Sequence, residues 1–222
     1  MALSIAIDGP VGAGKSSIAK GLARRLGILY LDTGAMYRAL GLKAVREGMD
    51  LGNKTQTAGL VARTDIRVAL REGTQQTFLD GEDVSGLIRT ADISNAASAI
   101  SQHEAVRKAM VSRQRQIAAQ SDIILDGRDI GTRVLPDATF KFFLTASPQT
   151  RAERRHLENI ARGIPSTYEA VLEDLVQRDK RDSERAIDPL RMAEDAREID
   201  TTSLGEEDVL ALLMQIIREE NT

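Results

Sequence analysis

The chain has no cysteine and no tryptophan, and only 3% of its residues are aromatic. The missing cysteines exclude disulfides, thiolate catalysis and cysteine-ligated zinc, and they fit a reducing compartment. So few aromatics argue against a base-stacking surface for single-stranded nucleic acid. Histidine is also scarce. His103 and His156 sit in no metal-ligand spacing and read as polar-contact residues. Neither sign of charge dominates: a net charge of −3 at pH 7 gives no field that would draw in nucleic acid or an anionic membrane. No apolar run is long enough to cross a bilayer, and a strand begins almost at Met1, so the expectation is a soluble, cytoplasmic protein. A length of 222 residues suits one α/β domain, or one core carrying an insertion.

What is present starts at Gly9-Pro10-Val11-Gly12-Ala13-Gly14-Lys15-Ser16, which fits the phosphate-loop pattern Gly-x-x-x-x-Gly-Lys-Ser/Thr without a gap. Small residues let successive backbone N–H groups curl around a phosphate chain. Lys15 adds a mobile positive charge for the β- and γ-phosphates, and the Ser16 hydroxyl can reach Mg²⁺. The flanks agree. Leu3–Ile7 reads as a short apolar strand ending at Asp8, and Ser17–Leu26 reads as a helix burying Ile18, Leu22 and Leu26. Strand, loop and helix in that order aim the helix N-terminus at an anion.

Gly27 stops the first helix, and Ile28–Leu31 is a second apolar strand running into Asp32-Thr33-Gly34. The next helix, Ala35 to about Glu47, turns Met36, Leu40 and Val45 inward and carries Tyr37 and Arg38 in its first turn. A short helix over 55–62 follows. Ile66, Val68 and Leu70 then alternate with more polar neighbours, with turn signals at Glu72-Gly73 and Asp80-Gly81. This antiparallel meander reads as an insertion on a parallel core. Further helices are expected at 92–100, 104–119, 148–162, 167–184 and 205–218, and further strands at 121–126, 139–144 and 197–200. Ala170, Leu172, Leu175 and Val176 would be the buried residues of the 167–184 helix. Val209, Leu212, Leu213, Ile216 and Ile217 would be those of the last helix.

Ligands of open α/β sheets bind beyond the carboxyl ends of the parallel strands. Here those ends carry Asp8-Gly9, Asp32-Thr33-Gly34 and Asp126-Gly127-Arg128-Asp129, which should face one crevice. Asp126 reads either as the acidic end of a Walker B strand near Mg²⁺ or as a strand-end cap. Arg128 and Asp129 suit a phosphate and an exocyclic amine, or else a local ion pair. Arg151, Arg154 and Arg155 share a helix face before the Gly163-Ile164-Pro165 break, as on a mobile flap. Arg178, Asp182 and Arg185 share another. Each set reads as a solvated face or as a cation cluster. Phosphoryl transfer between two phosphates favours the second, since it needs several cations and no acidic general base.

Over nearly its whole length the sequence resembles the bacterial cytidylate kinases, a branch of the nucleoside monophosphate kinases. The resemblance rests on the phosphate loop together with Leu31–Arg38, Gly81–Ser85, Ile88–Thr90, Asn95–Ser98, Val106-Arg107, Asp126–Thr132 and Arg178–Asp182. It implies a P-loop NTPase-like parallel sheet with flanking helices, a monophosphate-binding β insertion over about 55–95 and a helical lid over about 151–166, all in one domain of 1–222. It implies transfer of the ATP γ-phosphoryl group to CMP and dCMP, with Mg²⁺, by a monomer in pyrimidine nucleotide metabolism. ATP would lie on Gly9, Pro10, Val11, Gly12, Ala13, Gly14, Lys15, Ser16 and Ser17, with Ser16 or Ser17 facing the metal. Ser98, Arg107 and Asp129 would contact the cytosine, and Arg178 and Asp182 the pentose. Thr33, Tyr37, Arg38, Arg128 and Arg185 would surround the monophosphate. Lys15, Arg128, Arg155 and Arg185 would be catalytic. Rival readings are a kinase of UMP or AMP, and a slow nucleotide switch; the guanine-reading Asn-Lys-x-Asp signature of the latter is absent.

Overall fold

A computed structural model describes residues 2–71 and 74–220. Five strands form a parallel sheet: β1 (Ser4–Asp8), β2 (Leu29–Asp32), β6 (Ile123–Asp126), β7 (Phe140–Thr145) and β8 (Arg197–Asp200), in the order β2-β6-β1-β7-β8. The strands are short, and β1, β2, β6 and β7 are largely apolar because the sheet is covered on both faces, as parallel sheets are; the edge strand β8, Arg-Glu-Ile-Asp, buries only Ile199. Alternate residues separate the two sides. Ala6, Leu31 and Leu125 enter one apolar cluster, whereas Ile5, Ile7, Tyr30, Ile124 and Phe142 enter the other. Helices α1 (Lys15–Leu26) and α8 (Glu206–Glu220) cover the second side through Ile18, Leu22, Val209 and Leu213. Helices α2 (Thr33–Arg46), α4 (Ala91–Ile100) and α5 (Glu104–Ala118) cover the first through Met36, Leu40, Ile93 and Met110. Gly41 lets α2 and α4 touch, since a Cβ there would lie 2.9 Å from the Ala97 nitrogen.

The meander is a separate antiparallel sheet of β3 (Ile66–Arg71), β4 (Thr74–Leu79) and β5 (Glu82–Asp83), preceded by α3 (Lys54–Ala62). It is tied to the main sheet by Gln75, whose Oε1 accepts from the Asp32 N–H at 2.7 Å while its Nε2 donates to the Asp32 carbonyl at 3.2 Å. The insertion therefore sits at the carboxyl end of β2. The expected turn residues Glu72 and Gly73, and the side chain of Leu70, lie outside the described residues. Helices α6 (Pro148–Ala161) and α7 (Tyr168–Glu184) pack on each other, separated by the break at Gly163, whose φ is +69°.

Several expectations need correction. Val45, Val176 and Leu212, expected inside, are 46%, 48% and 36% exposed, so α2, α7 and α8 present narrower apolar stripes than their sequences suggest. In α7 only Leu175 is fully buried, because that helix packs against α6 rather than against the sheet. Helix α2 begins two residues earlier than expected because the Asp32 carboxylate caps it, accepting from the Ala35 N–H at 2.9 Å. A π-helical turn at Ile130–Val134 had no signal in the sequence. Its cause is tertiary: the Asp8 carboxylate accepts from the Ile130 and Gly131 N–H groups at 2.8 and 2.7 Å and gathers the turn beneath β1.

Candidate active site

The carboxyl ends of β1, β2 and β6 lie level, with Asp32 paired in register to Asp126 and Asp126 to Ile7. Three carboxylates, Asp8, Asp32 and Asp126, therefore converge beside the phosphate loop, all at least nine-tenths buried. The loop leaves β1 through Gly9, where no other residue fits: φ is +144° and a Cβ would lie 2.0 Å from the Leu144 carbonyl oxygen. Gly12 and Gly14 also take positive φ, at +79° and +83°. Gly14 is the N-cap of α1 and has no side chain to cap it, so the positive end of the helix dipole faces the loop. Lys15 is buried against this loop and donates to the Pro10 carbonyl at 2.7 Å. Burial first, and then the Arg128 charge, push its amine down to about 7.

Ser16 donates its hydroxyl to Asp126 Oδ2 at 2.8 Å, and Tyr30 donates to Asp126 Oδ1 at 2.8 Å. Both serines are exposed at the start of α1, and of the two it is Ser16 whose hydroxyl meets a carboxylate. Burial and the neighbouring Asp32 raise the Asp126 carboxyl above its ordinary value, and burial raises Asp8 to about 6 despite its two amide donors. The charged form of Asp126 is thus disfavoured where it lies, and a divalent cation beside it would relieve this. The hydroxyl–carboxylate pair of Ser16 and Asp126 offers the hard oxygen ligands that Mg²⁺ takes. The residues present fit that ion.

The arginines expected on one face of α6 go three ways. Arg151, almost fully buried, donates to the Val11 carbonyl at 2.9 Å and to the Ala146 carbonyl at 2.9 Å, and pairs with Asp179 at 2.7 Å. It clamps the phosphate loop to α6 and α7. Arg154 turns away, donating to the Thr201 side chain and to the Thr201 and Leu204 carbonyls. Arg155 is half-buried and pairs with Glu158 on its own helix at 2.9 Å. The structure therefore brings Arg151, and not Arg155, to the loop.

Across the crevice the remaining cations crowd together. Arg128 pairs with Asp182 at 2.9 Å, and Arg178 has Asp174 only at 3.9 Å. Burial and the adjacent Arg128 hold Arg178 below its ordinary value; burial and Arg107 do the same to Arg185. Arg38 donates through Nη2 to Asp32 at 2.7 Å, and its buried Nε finds no partner among the described residues. The Asp32 carboxyl is opposed by burial yet lies below its ordinary value, because Arg38, the Ala35 amide and Arg89 outweigh that burial. Thr33 spends its hydroxyl on the Asp126 carbonyl at 2.6 Å. Deeper in, Asp129 takes Arg107 on one oxygen and Arg185 on the other, the latter at 3.2 Å. The Arg107 guanidinium lies 5.9 Å from the centre of the Tyr37 ring, and burial raises that phenol to about 12. Ser98 is half-buried on α4, and among the described residues its hydroxyl makes no hydrogen bond into this network.

Asp8, Tyr30, Asp32, Arg151 and Asp188 belong to this constellation although none was singled out as a site residue from the sequence. Asp8 and Asp32 carried one signal, their place at strand ends. Arg151 had only its helix face; Asp188, which accepts from Arg107 Nε at 2.8 Å, had its place next to the 178–185 arginines that it could neutralise; Tyr30 had no signal at all.

The family model for cytidylate kinase matches residues 5–219. A cytidylate kinase of Bacillus cereus (strain B4264) is 49% identical over 215 residues, covering 97% of this chain and 96% of that one. A cytidylate kinase of Bacillus cytotoxicus (strain DSM 22905) is 49% identical over 219 residues, covering 98% and 96%. Among solved structures, an uncharacterized protein from Eubacterium ventriosum ATCC 27560 is similar with a TM-score of 0.50 and 14% identity, covering 97% of this chain and 98% of that one. That last likeness is one of fold alone.

Proposed function

The chain belongs to the cytidylate kinase family, and from that premise we propose that it phosphorylates CMP and dCMP at the expense of ATP, with Mg²⁺. The carrying observation is the crowd of cations: Lys15, Arg178 and Arg185 are all held below their ordinary values, first by burial and then by a neighbouring guanidinium, Arg128 beside Lys15 and Arg178, and Arg107 beside Arg185. Such a cluster is stable only marginally by itself and is relieved by polyanions, here the phosphates of donor and acceptor.

The loop amides of 9–16 and the positive end of α1 receive the donor phosphates. Lys15 leaves the Pro10 carbonyl to follow the β- and γ-phosphates, and its amine becomes fully charged among them. Ser16 and Asp126 would hold Mg²⁺, which neutralises charge on the donor phosphates. On the acceptor side, Arg38 has a donor to spare at Nε, and with Arg128, Arg185, Thr33 and Tyr37 it surrounds the monophosphate. Arg178 and Asp182 take the pentose. Arg107, Asp129 and Ser98 take the cytosine, whose amine is a donor for carboxylate and whose ring carbonyl and nitrogen are acceptors for guanidinium. An oxygen of the acceptor phosphate forms its bond to the γ-phosphorus as the bond from that phosphorus to the bridging β-oxygen breaks. No general base is needed, because the attacking oxygen is already ionised. Arg155, paired with Glu158 on its own helix, would reach the transferring group only if residues 151–166 close as a lid. Residues 55–95 would be the acceptor-binding insertion of a single-domain, cytoplasmic monomer.

Product analysis with ATP, Mg²⁺ and a panel of CMP, dCMP, UMP and AMP tests the reading. CDP and dCDP are the expected main products. Failure to form either, or AMP used as well as CMP, would refute it.

A further inference from the structure

We infer that Asp188 is the positioning residue for the base-reading carboxylate Asp129, and thereby sets how sharply the enzyme separates an amino from a carbonyl group on the acceptor base. The inference rests on the acceptor reading above. Asp129 is gripped by two arginines, one on each oxygen: Arg107 through Nη2 and Arg185 through Nη2. Both arginines are anchored from behind by the same residue. Arg107 Nε donates to Asp188 Oδ2 at 2.8 Å, and Arg185 Nε donates to the Asp188 backbone carbonyl at 2.5 Å. A third arginine, Arg133, approaches the other carboxylate oxygen at 3.4 Å. One residue thus fixes the planes of both guanidiniums, and those planes fix the carboxylate between them.

The backbone shows what this arrangement costs. Asp188 has a φ of +48°, one of two non-glycine residues in the left-handed region among those described. The other, Asp80, opens the tight Asp80-Gly81 turn, where aspartate tolerates that conformation. Asp188 has no such turn, and it precedes Pro189, which disfavours helical conformations in the residue before it. A residue held in such a conformation persists only where its surroundings over-determine it, and such positions cluster at functional sites. Here the surroundings are three arginines. The left-handed conformation lets the residue offer its carboxylate to Arg107 and its carbonyl to Arg185 together.

Cytosine and uracil differ in whether the pyrimidine presents an amine or a carbonyl. A carboxylate welcomes the amine and repels the carbonyl, but only if its oxygens cannot turn aside. Without the Asp188 carboxylate, Arg107 keeps its bond to Asp129 yet loses the anchor at Nε, and the pair can swing together.

Asp188→Gly and Asp188→Asn separate anchoring from simple stability. Glycine accepts the left-handed backbone without strain and keeps the carbonyl for Arg185 but lacks the carboxylate. Asparagine also tolerates this conformation and keeps an acceptor for Arg107. In Asp188→Gly the ratio of kcat/KM for CMP to that for UMP should fall at least about tenfold, through KM for CMP, with KM for ATP nearly unchanged. Asp188→Asn should keep the ratio within about threefold of the wild type. By NMR the Arg107 Nε–H should be protected from exchange in the wild type and in Asp188→Asn, and fast-exchanging in Asp188→Gly. A folded Asp188→Gly that keeps the CMP preference would overturn the inference. So would one that loses it while Arg107 Nε–H stays protected. A wild type with no CMP preference would refute the acceptor reading instead, and loss or persistence of the Nε–H protection would then decide the anchoring role alone.

Discussion

Replacing Asp129 with alanine removes the carboxylate that Arg107 and Arg185 share, and leaves two guanidiniums facing each other in the interior. Their side chains are only 2% and 4% exposed, so water cannot take the place of the lost partner. Breaking a buried ion pair by removing one member costs about 3–5 kcal/mol, most of it the burden of the charge left behind. Each arginine keeps one anchor on Asp188, Arg107 on the carboxylate and Arg185 on the backbone carbonyl. The expected loss therefore lies at the lower end, about 3 kcal/mol. With no tryptophan in the chain, urea unfolding is best followed by far-UV circular dichroism; the midpoint should fall with little change in slope. Adding Arg107→Leu to Asp129→Ala should restore part of the loss, because it removes one uncompensated charge. In the folded fraction, kcat/KM for CMP should drop far more than affinity for ATP. A stability loss below about 1 kcal/mol, or a double variant weaker than the sum of its parts, would refute the account of Asp129 as the shared neutraliser.

Lys15→Ala should remove most phosphoryl transfer while leaving CMP affinity within about threefold; near-normal turnover would sink the donor-side mechanism. Asp8 gives a pH signature. Its carboxyl is raised from 3.8 to about 6, chiefly by burial, so its charged form opposes the fold. Its contribution is fully favourable below 3.8 and is lost as pH rises through about 6, a difference of about 3 kcal/mol. Unfolding measured at about pH 5 and about pH 8 should show Asp8→Asn gaining on the wild type at the higher pH. A gap between the two proteins that does not change with pH would contradict this.

Much of the architecture was readable from local pattern. Among the described residues, the parallel strands, the antiparallel meander and the α-helices lie where the sequence places them, most of them on a run with the matching period, and boundaries move by only a few residues. Misplaced residues such as Val45, Val176 and Leu212 share one cause. Periodicity says which residues could face inward, but the width of the buried stripe depends on what packs against it. The 148–161 helix shows the same limit for charge: spacing put Arg151, Arg154 and Arg155 on one face, and packing sent them to three different partners.

The sequence by itself determined the phosphate loop, because the glycines, the lysine and the serine that such a loop needs are contiguous and their backbone demands are local. It also determined that strand-end aspartates would border that loop, since parallel strands end on one side of the sheet. Only the tertiary structure decided which carboxylate each cation meets. Asp8 reaches the amides of Ile130 and Gly131, and Arg107 reaches Asp188, 81 residues away. Those pairings depend on how helices and loops dock, which no local spacing records. Ion pairs between distant residues form where burial removes the competing water, and burial is a property of the assembled fold.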